Sequence, residues 1–301
     1  MPVAGSTERG ASPLSDATVD SGGLERSAVL ELLRDGEITV EGRLVDASNA
    51  TLYCNIELGD RQGRCVYKPV LGERPLWDFP DGTLAGREVA AFLVSEAMSQ
   101  PARRPPDESA EPAPIAAIPV VRPAPGAPGA RVGCPPADGS DVGIVPPTVL
   151  REGPFGTGMA QLWIDVDVTV DLVTLTRSDD PRLRRIALFD AVINNADRKG
   201  GHLLPGPSGR VYGIDHGISF HAENKLRTLL WTWRGKRLSP ADLALLGALR
   251  AELDDRLGDD LHALLTRAEV RALARRVDHL VTTGRFPQPS GEWPAIPWPP
   301  F

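Results

Sequence analysis

Two aspartates at the edges of neighbouring loops, Asp197 and Asp215, have the spacing that most directly suggests chemistry in this chain. An amphipathic run from Arg182 to Ile193 predicts a helix before the first aspartate, and a predicted strand from Arg210 to Ile214 precedes the second. Phosphoryl transfer requires two carboxylates arranged in this way. One orients or deprotonates the acceptor hydroxyl, and the other holds the metal that neutralises the phosphates.

The same chemistry needs a cation upstream, and Lys68 is the candidate. The segment from Gly42 to Leu58 predicts two strands around a polar turn that contains Ser48 and Asn49, and Arg64 to Pro69 predicts a third strand. A lysine at the end of that strand can pair with the α- and β-phosphates, while the polar turn covers them. A solvated strand lysine is the alternative interpretation.

A helix is predicted from Gly86 to Ser99, and it offers an acidic partner for Lys68. Glu88 lies in its first turn and is the expected partner, with Glu96 as the second candidate about two turns further on. An acid in the first turn is also favoured by the helix dipole alone, so this position has an alternative explanation.

Taken in order, these features resemble the bacterial phosphatidylinositol 3/4-kinase-like proteins, particularly an actinobacterial branch. The sequences D-R-K-G-G-H and D-H-G are similar to the D-R-H-x-x-N and D-F-G of the phosphatidylinositol 3- and 4-kinases. The resemblance covers roughly residues 30 to 283 apart from one insertion, and four phrases carry it: Ala47 to Thr51, Val66 to Pro69, Pro147 to Arg151, and Asn195 to His202.

The resemblance implies an α+β, bilobal protein-kinase-like fold, with an antiparallel sheet and one helix in the N-lobe and a mainly helical C-lobe. It also implies ATP as the cofactor. Its expected contacts are the polar turn, the lysine with its glutamate, and the hinge between the lobes: Ser48, Asn49, Lys68, Glu88, Gln161 and Trp163.

In the loop from Asn195 to His202, called the catalytic loop below, the resemblance implies Asp197 as the acid/base, with Arg198 and Lys199 beside it. It also implies His202 and Asp215 as metal ligands. His202 stands where the eukaryotic lipid kinases have a metal-binding asparagine. Imidazole suits softer ions than Mg²⁺, so the expected metal is Mg²⁺ or Mn²⁺, in one site or two. A plain hydrogen-bonding role for His202 is the alternative.

Composition narrows the functional class. The chain has 301 residues, of which 42% are hydrophobic and 24% charged, as in ordinary globular proteins. A net charge of −7 argues against nucleic acid as a partner. No apolar run is long enough to span a membrane, and the N-terminus lacks the pattern of a secretory signal. Three cysteines without a C-x-x-C pair fit a reduced compartment, so a cytoplasmic location is expected.

The clearest change in composition is a segment in which 11 of 44 residues are proline. Together with the motifs it divides the chain into six predicted parts. They are a disordered N-terminus (1–24), an N-lobe (25–99), a disordered Pro/Ala-rich insertion (100–143), the last N-lobe strands with the hinge (144–164), a C-lobe with the catalytic and metal loops (165–284) and a tail (285–301). Within the C-lobe, helix start signals lie at Ser239 and Thr266, and Gly284 is a stop signal.

Residues 221–238 form a basic loop, which we expect to contact the acceptor. Five cations face one acid, Glu223: Lys225, Arg227, Arg234, Lys236 and Arg237. Such a loop can hold an anionic acceptor and leaves peripheral membrane contact open, while a merely solvated loop is the alternative. Its tryptophans, Trp231 and Trp233, are expected to be packing residues.

The predicted function is ATP-dependent transfer of a γ-phosphoryl group to a hydroxyl of a lipid, a small molecule or a protein. One alternative is a nucleotide-binding pseudokinase, suggested by His202 and by the lack of a G-x-G-x-x-G loop. Another is a metal-dependent phosphohydrolase that uses His202, Asp215, His216 and His221.

Overall fold

The computed structural model describes residues 26–44, 49–99 and 143–301. The predicted disordered N-terminus, Ser48 in the polar turn, and the predicted insertion up to residue 142 lie outside the described residues.

The N-terminal lobe is an antiparallel five-stranded sheet with a helix on each face, and the strand order is β1-β2-β3-β5-β4. Its elements are α1 (Arg26–Asp35), β1 (Glu37–Arg43), β2 (Leu52–Leu58), β3 (Arg61–Pro69), α2 (Leu84–Ala97), β4 (Thr148–Gly153) and β5 (Gly156–Leu162). The predicted start of the first strand at Gly42 is wrong, because β1 begins at Glu37 and ends one residue after Gly42. Gly42 instead marks a register shift in the pairing of β1 with β2.

The alternation of side chains along β3 decides which face Lys68 occupies. Cys65 and Tyr67 are fully buried in the cluster beneath α1. Successive side chains of a strand point to opposite faces, so Lys68 points to the other face. Its partner in the sheet register is Met159, which packs against Val89 of α2. The strand pattern therefore directs the lysine toward the helix that carries Glu88.

The C-terminal lobe is mainly helical, with one short hairpin. Its elements are α3 (Leu172–Arg177), α4 (Pro181–Ile193), β6 (Leu203–Pro205), β7 (Val211–Gly213), α5 (Pro240–Glu252), α6 (Arg256–His262) and α7 (Arg267–Thr283). The whole is α+β and has the bilobal arrangement of a kinase-like fold, as predicted. In the part of the chain that the structure describes, no helix combines the length and apolar character that crossing a membrane requires.

Local sequence signals set the ends of the C-terminal helices. Ser239 and Asp242 form a capping box at the start of α5, and Thr266 and Glu269 form another at the start of α7. Gly284 ends α7 in the left-handed conformation, with φ of 60°. These three predictions are confirmed.

The helix α2 joins the two lobes. Its residues Phe92 and Val94 belong to the same buried cluster as Leu188 and Val192 of α4. Because one helix packs against both the sheet and the C-terminal core, its position determines how the two halves of the site meet.

Candidate active site

Lys68 lies where three elements meet. Its Nζ donates to Glu88 Oε1 of α2 at 2.6 Å and to Asp215 Oδ1 of the D-H-G loop at 2.8 Å. The predicted pairing of Lys68 with Glu88 is therefore present. Glu96, the second candidate, contacts Arg26 of α1 instead.

The pKa values of Lys68, Glu88 and Asp215 are shifted for different reasons. Burial alone would lower the pKa of Lys68, but the carboxylates of Asp215 and Glu88 outweigh it and raise that pKa above its usual value. The Lys68 charge holds the pKa of Asp215 well below its usual range. Burial raises the pKa of Glu88, whose side chain is only 2% exposed, whereas Asp215 is 48% exposed. Lys68 is thus a cation held between one buried and one accessible carboxylate.

Glu88 also fixes the D-H-G loop, because its second oxygen accepts from the backbone N–H of His216 at 2.8 Å. The helix around it is held by the neighbouring residue. Arg87 donates to Glu269 at the start of α7 at 2.6 Å and to the carbonyl of Ser219 at 2.8 Å, and its side chain is 1% exposed. Sequence reasoning missed Arg87, since its partner lies 182 positions away.

Arg198 is the centre of a buried network beneath the predicted catalytic loop. Its Nε lies 3.1 Å from both carboxylate oxygens of Asp190 in α4, and both side chains are 0% exposed. A second guanidinium nitrogen donates to the carbonyls of His202 and Ile214, at 3.2 and 2.9 Å. One side chain thereby joins the catalytic loop, the hairpin and α4. Asp190 was also missed, although an acid within an apolar helical run is the signal that could have revealed it.

The third guanidinium nitrogen of Arg198 donates to Nε2 of His216 at 2.6 Å. Burial lowers the pKa of His216 well below its usual value, and the Arg198 charge adds to this. Arginine stays protonated, so the imidazole must accept this hydrogen bond and is neutral. His216 is consequently a structural member of the network.

The candidate acid/base Asp197 is positioned by its neighbours in the loop. Its backbone N–H donates to Asn195 Oδ1 at 2.9 Å, and its carboxylate lies 3.0 Å from Lys199 Nζ. Asn194 ends α4 with a φ of 55°, and its side-chain amide donates to the carbonyls of His221 and Glu223. This turn links the catalytic loop to the basic loop.

His202 and Asp215, the predicted metal ligands, face each other, with His202 Nε2 3.3 Å from Asp215 Oδ2. Burial lowers the pKa of His202 although Asp215 opposes the shift, which favours the neutral imidazole that ligates metals. Its Nδ1 is buried and lacks a hydrogen-bond partner among the described residues. Within residues 26–44, 49–99 and 143–301 no group of three or more His, Cys, Asp or Glu could hold a metal. The role of this pair as metal ligands remains a prediction.

The other predicted nucleotide contacts have partners within the protein. The side chain of Asn49 accepts from the backbone N–H of Arg74 at 2.9 Å. The buried amide of Gln161 donates to Thr148 at 2.8 Å within the sheet. Trp163 donates to Asp165 and packs edge-on against Tyr53, with the ring centroids 4.8 Å apart. Any role of these residues in nucleotide binding remains a prediction.

The four ligands of the hydrolase alternative do not come together as a metal site. His216 is occupied by Arg198, and His221 accepts from the backbone of Glu223 through Nδ1 at 3.0 Å, while its Nε2 lies 3.3 Å from Lys225. Of the four residues that the hydrolase alternative uses as metal ligands, only His202 and Asp215 have side chains that face each other.

Part of the basic loop is not available to an acceptor. Lys225 is 3% exposed and donates to Asp78 at 2.8 Å, so the expectation that it holds an anionic acceptor is wrong. The loop tryptophans are buried, as expected of packing residues. The exposed cations of the loop are Arg234, Lys236 and Arg237.

The chain is similar to Protein Rv2133c of Mycobacterium tuberculosis, with 46% identity over 305 residues that cover 90% of this chain and 94% of that protein. This chain belongs to the Rv2133c family. No family model matches it. Among solved structures, the Helicobacter pylori proinflammatory kinase CtkA is similar with a TM-score of 0.39 and 9% identity, covering 84% of this chain and 94% of that chain.

Proposed function

We propose that this protein is an ATP-dependent phosphotransferase of the phosphatidylinositol 3/4-kinase-like type, which transfers the γ-phosphoryl group to a hydroxyl of a lipid, a small molecule or a protein. The observation that carries the proposal is the placement of Lys68 between Glu88 and Asp215, with bonds of 2.6 and 2.8 Å. A sheet lysine, a helix glutamate and a loop aspartate, brought together from distant parts of the chain, match the needs of nucleotide phosphates and their metal.

Each side chain then has a distinct task. Glu88 orients Lys68, whose ammonium binds phosphate oxygens. His202 and Asp215 would hold Mg²⁺ or Mn²⁺, which would neutralise the phosphate charge. Asp197 accepts the proton of the acceptor hydroxyl, and the cation of Lys199, 3.0 Å from Asp197, lies beside it. Because ATP is the phosphoryl donor, the proposal includes a cytoplasmic location, where ATP is available.

The exposed cations of the basic loop suit an anionic acceptor. Arg234 and Arg237 are exposed in the segment that follows the D-H-G sequence. Guanidinium groups bind phosphate and carboxylate through paired hydrogen bonds. An acceptor that already carries a phosphate, or the surface of an anionic membrane, matches this loop.

The test is incubation with γ-labelled ATP and fractionated cell extract, in Mg²⁺ and in Mn²⁺, with the label followed into lipid, protein and small molecules. Transfer to one fraction by the wild type, and its loss in Asp197→Asn, is the expected result. If neither metal supports transfer or ATP turnover, the phosphotransferase proposal is wrong.

One observation favours a nucleotide-binding pseudokinase as the second candidate. Both carboxylate oxygens of Asp215 already have partners, Lys68 at 2.8 Å and His202 at 3.3 Å. A protein that uses these contacts to hold the site together would bind ATP without turning it over. Calorimetric titration with ATP, with and without metal, separates the candidates when it is combined with the turnover assay.

A further inference from the structure

The C-terminal residues pack on two loops that border the candidate active site. Residues 293–301, called the tail segment below, have the sequence W-P-A-I-P-W-P-P-F and contact both the catalytic loop and the basic loop. Under the proposed function, both of these loops would face the acceptor.

These two loops form one continuous surface. The backbone N–H of Arg227 donates to the carbonyl of Asn195 at 2.9 Å, and that of Arg198 donates to the carbonyl of Arg227 at 3.0 Å. Leu229 in turn donates to the carbonyl of Arg198 at 3.2 Å. The catalytic loop and the basic loop therefore run side by side like two short strands.

The tail segment forms a third layer on this surface. The carbonyl of Ala295 accepts from the backbone N–H of Thr228 at 3.1 Å and from the indole of Trp231 at 2.9 Å. The carbonyl of Pro294 accepts from Arg227 Nε at 3.1 Å. In these contacts the tail supplies acceptors and the loops supply donors.

The last residues of the chain reach the catalytic loop itself. The carbonyl of Pro300 accepts from the backbone N–H of Gly200 at 2.7 Å. A Cβ at Gly200 would overlap the ring of Phe301, so the ring packs directly against the glycine backbone. Gly200 follows Lys199, whose ammonium pairs with Asp197. The tail thus ends on the catalytic loop, at the residue next to Lys199.

The other end of the tail segment is anchored on a buried cation. Lys225 Nζ lies 4.9 Å from the ring centroid of Trp293 and 4.9 Å from that of Trp77, which belongs to the segment between β3 and α2. An ammonium group over an indole face is attracted by the ring quadrupole. Aromatic and carbonyl contacts of this kind suit an extended, proline-rich polypeptide, which has few N–H donors of its own.

We propose that the tail segment occupies the surface on which the acceptor binds, so that it competes with the acceptor and must leave before transfer. This inference rests on the proposed function for the identity of the surface. The tail takes up the N–H groups of Gly200 and Thr228, which belong to the catalytic and the basic loop. Trp293 and Phe301 are the side chains that fasten its two ends.

The test compares two variants of the whole chain. One is the double variant Trp293→Ala/Phe301→Ala, and the other is the single variant Trp298→Ala. Trp298 belongs to the same segment but is 84% exposed, so it is the matched control. Hydrogen exchange of the Gly200 and Thr228 amides is expected to accelerate about tenfold or more in the double variant, as their bonds to the tail open, and to stay at the wild-type rate in Trp298→Ala. Adding a synthetic peptide of residues 292–301 is expected to slow exchange in the double variant again.

Turnover of γ-labelled ATP is measured on the same proteins. We expect a severalfold increase in the double variant, which the peptide reverses, and no change in Trp298→Ala. Unchanged exchange at Gly200 and Thr228 would overturn the docking of the tail. Faster exchange with reduced or unchanged turnover would overturn the competition, because the tail would then support the loop. Absence of turnover in every protein would reject the proposed function and the competition with it, while the exchange result would still decide the docking.

Discussion

Lys68 and Asp197 belong to one candidate site, yet two different kinds of structure hold them. Lys68 is part of β3, which is hydrogen-bonded to β2 on one side and to β5 on the other. Its direction follows from the alternation of buried residues along the strand. Many backbone bonds and apolar contacts share this task, so no single side chain decides it.

Asp197 lies in an irregular loop that has no such ladder. The loop is held from below by the buried pair of Arg198 and Asp190, and from within by the Asn195 side chain. A buried charge that loses its partner is costly, because water cannot replace the partner. The N-lobe half of the site therefore depends on a distributed pattern, whereas the C-lobe half depends on a few polar side chains.

The largest expected effect comes from breaking the buried pair. Arg198→Met should lower the free energy of unfolding by roughly 3 to 5 kcal/mol, since the buried carboxylate of Asp190 loses its only charge partner among the described residues. Urea denaturation measures the change. Arg256→Met is the control, because Arg256 pairs with Asp260 at 3.7 Å with side chains 88% and 48% exposed, and its loss should cost less than about 0.5 kcal/mol. Similar losses for both variants would contradict the dependence of the C-lobe half on the buried pair.

Asp197→Asn tests the chemistry of the C-lobe loop without removing its support. We expect turnover to fall by roughly 10² or more, because an amide cannot accept the acceptor proton, while nucleotide affinity stays nearly the same. Steady-state turnover and ATP titration measure the two quantities. Wild-type turnover in this variant would remove Asp197 from the catalytic role.

Lys68→Met tests the N-lobe half. ATP binding or turnover should weaken at least about tenfold, or ~1.4 kcal/mol, as a charged phosphate contact is lost. Glu88 loses its charge partner in this variant but still accepts from the backbone N–H of His216, so the unfolding midpoint is measured to show that the variant is folded. Lys236→Met, at an exposed lysine of the basic loop, is the control for nucleotide affinity. Unchanged affinity and turnover in a folded Lys68→Met would place the nucleotide elsewhere.

The smallest change in activity is expected from a substitution at His202, one of the two proposed metal ligands. His202→Asn should keep activity and move the preference from Mn²⁺ toward Mg²⁺, because an amide oxygen replaces a softer nitrogen. Turnover is measured against the concentration of each metal for both proteins. Identical metal profiles would mean that His202 does not ligate the metal.

The sequence alone was sufficient wherever the determinants are local. The period of β3 and the position of Glu88 on a helix placed both partners of the Lys68 pair on regular elements. The capping residues Ser239 and Thr266 and the stop at Gly284 act within a few positions of their own helix ends, so spacing reveals them. The start of β1 was missed because Gly42 suggested a beginning, where it marks an irregular pairing near the end of the strand.

What only the tertiary structure decided are the contacts between distant segments. The pairing of Arg87 with Glu269 spans 182 positions, and Lys225 finds Asp78 across 147. The tail segment reaches Gly200 from the far end of the chain. Such partners have no periodic signature, because a buried ion pair or a carbonyl–amide bond constrains two positions in space and leaves the sequence between them free. The sequence therefore named the candidate residues for the chemistry, and the packing decided which side chains hold them and what covers them.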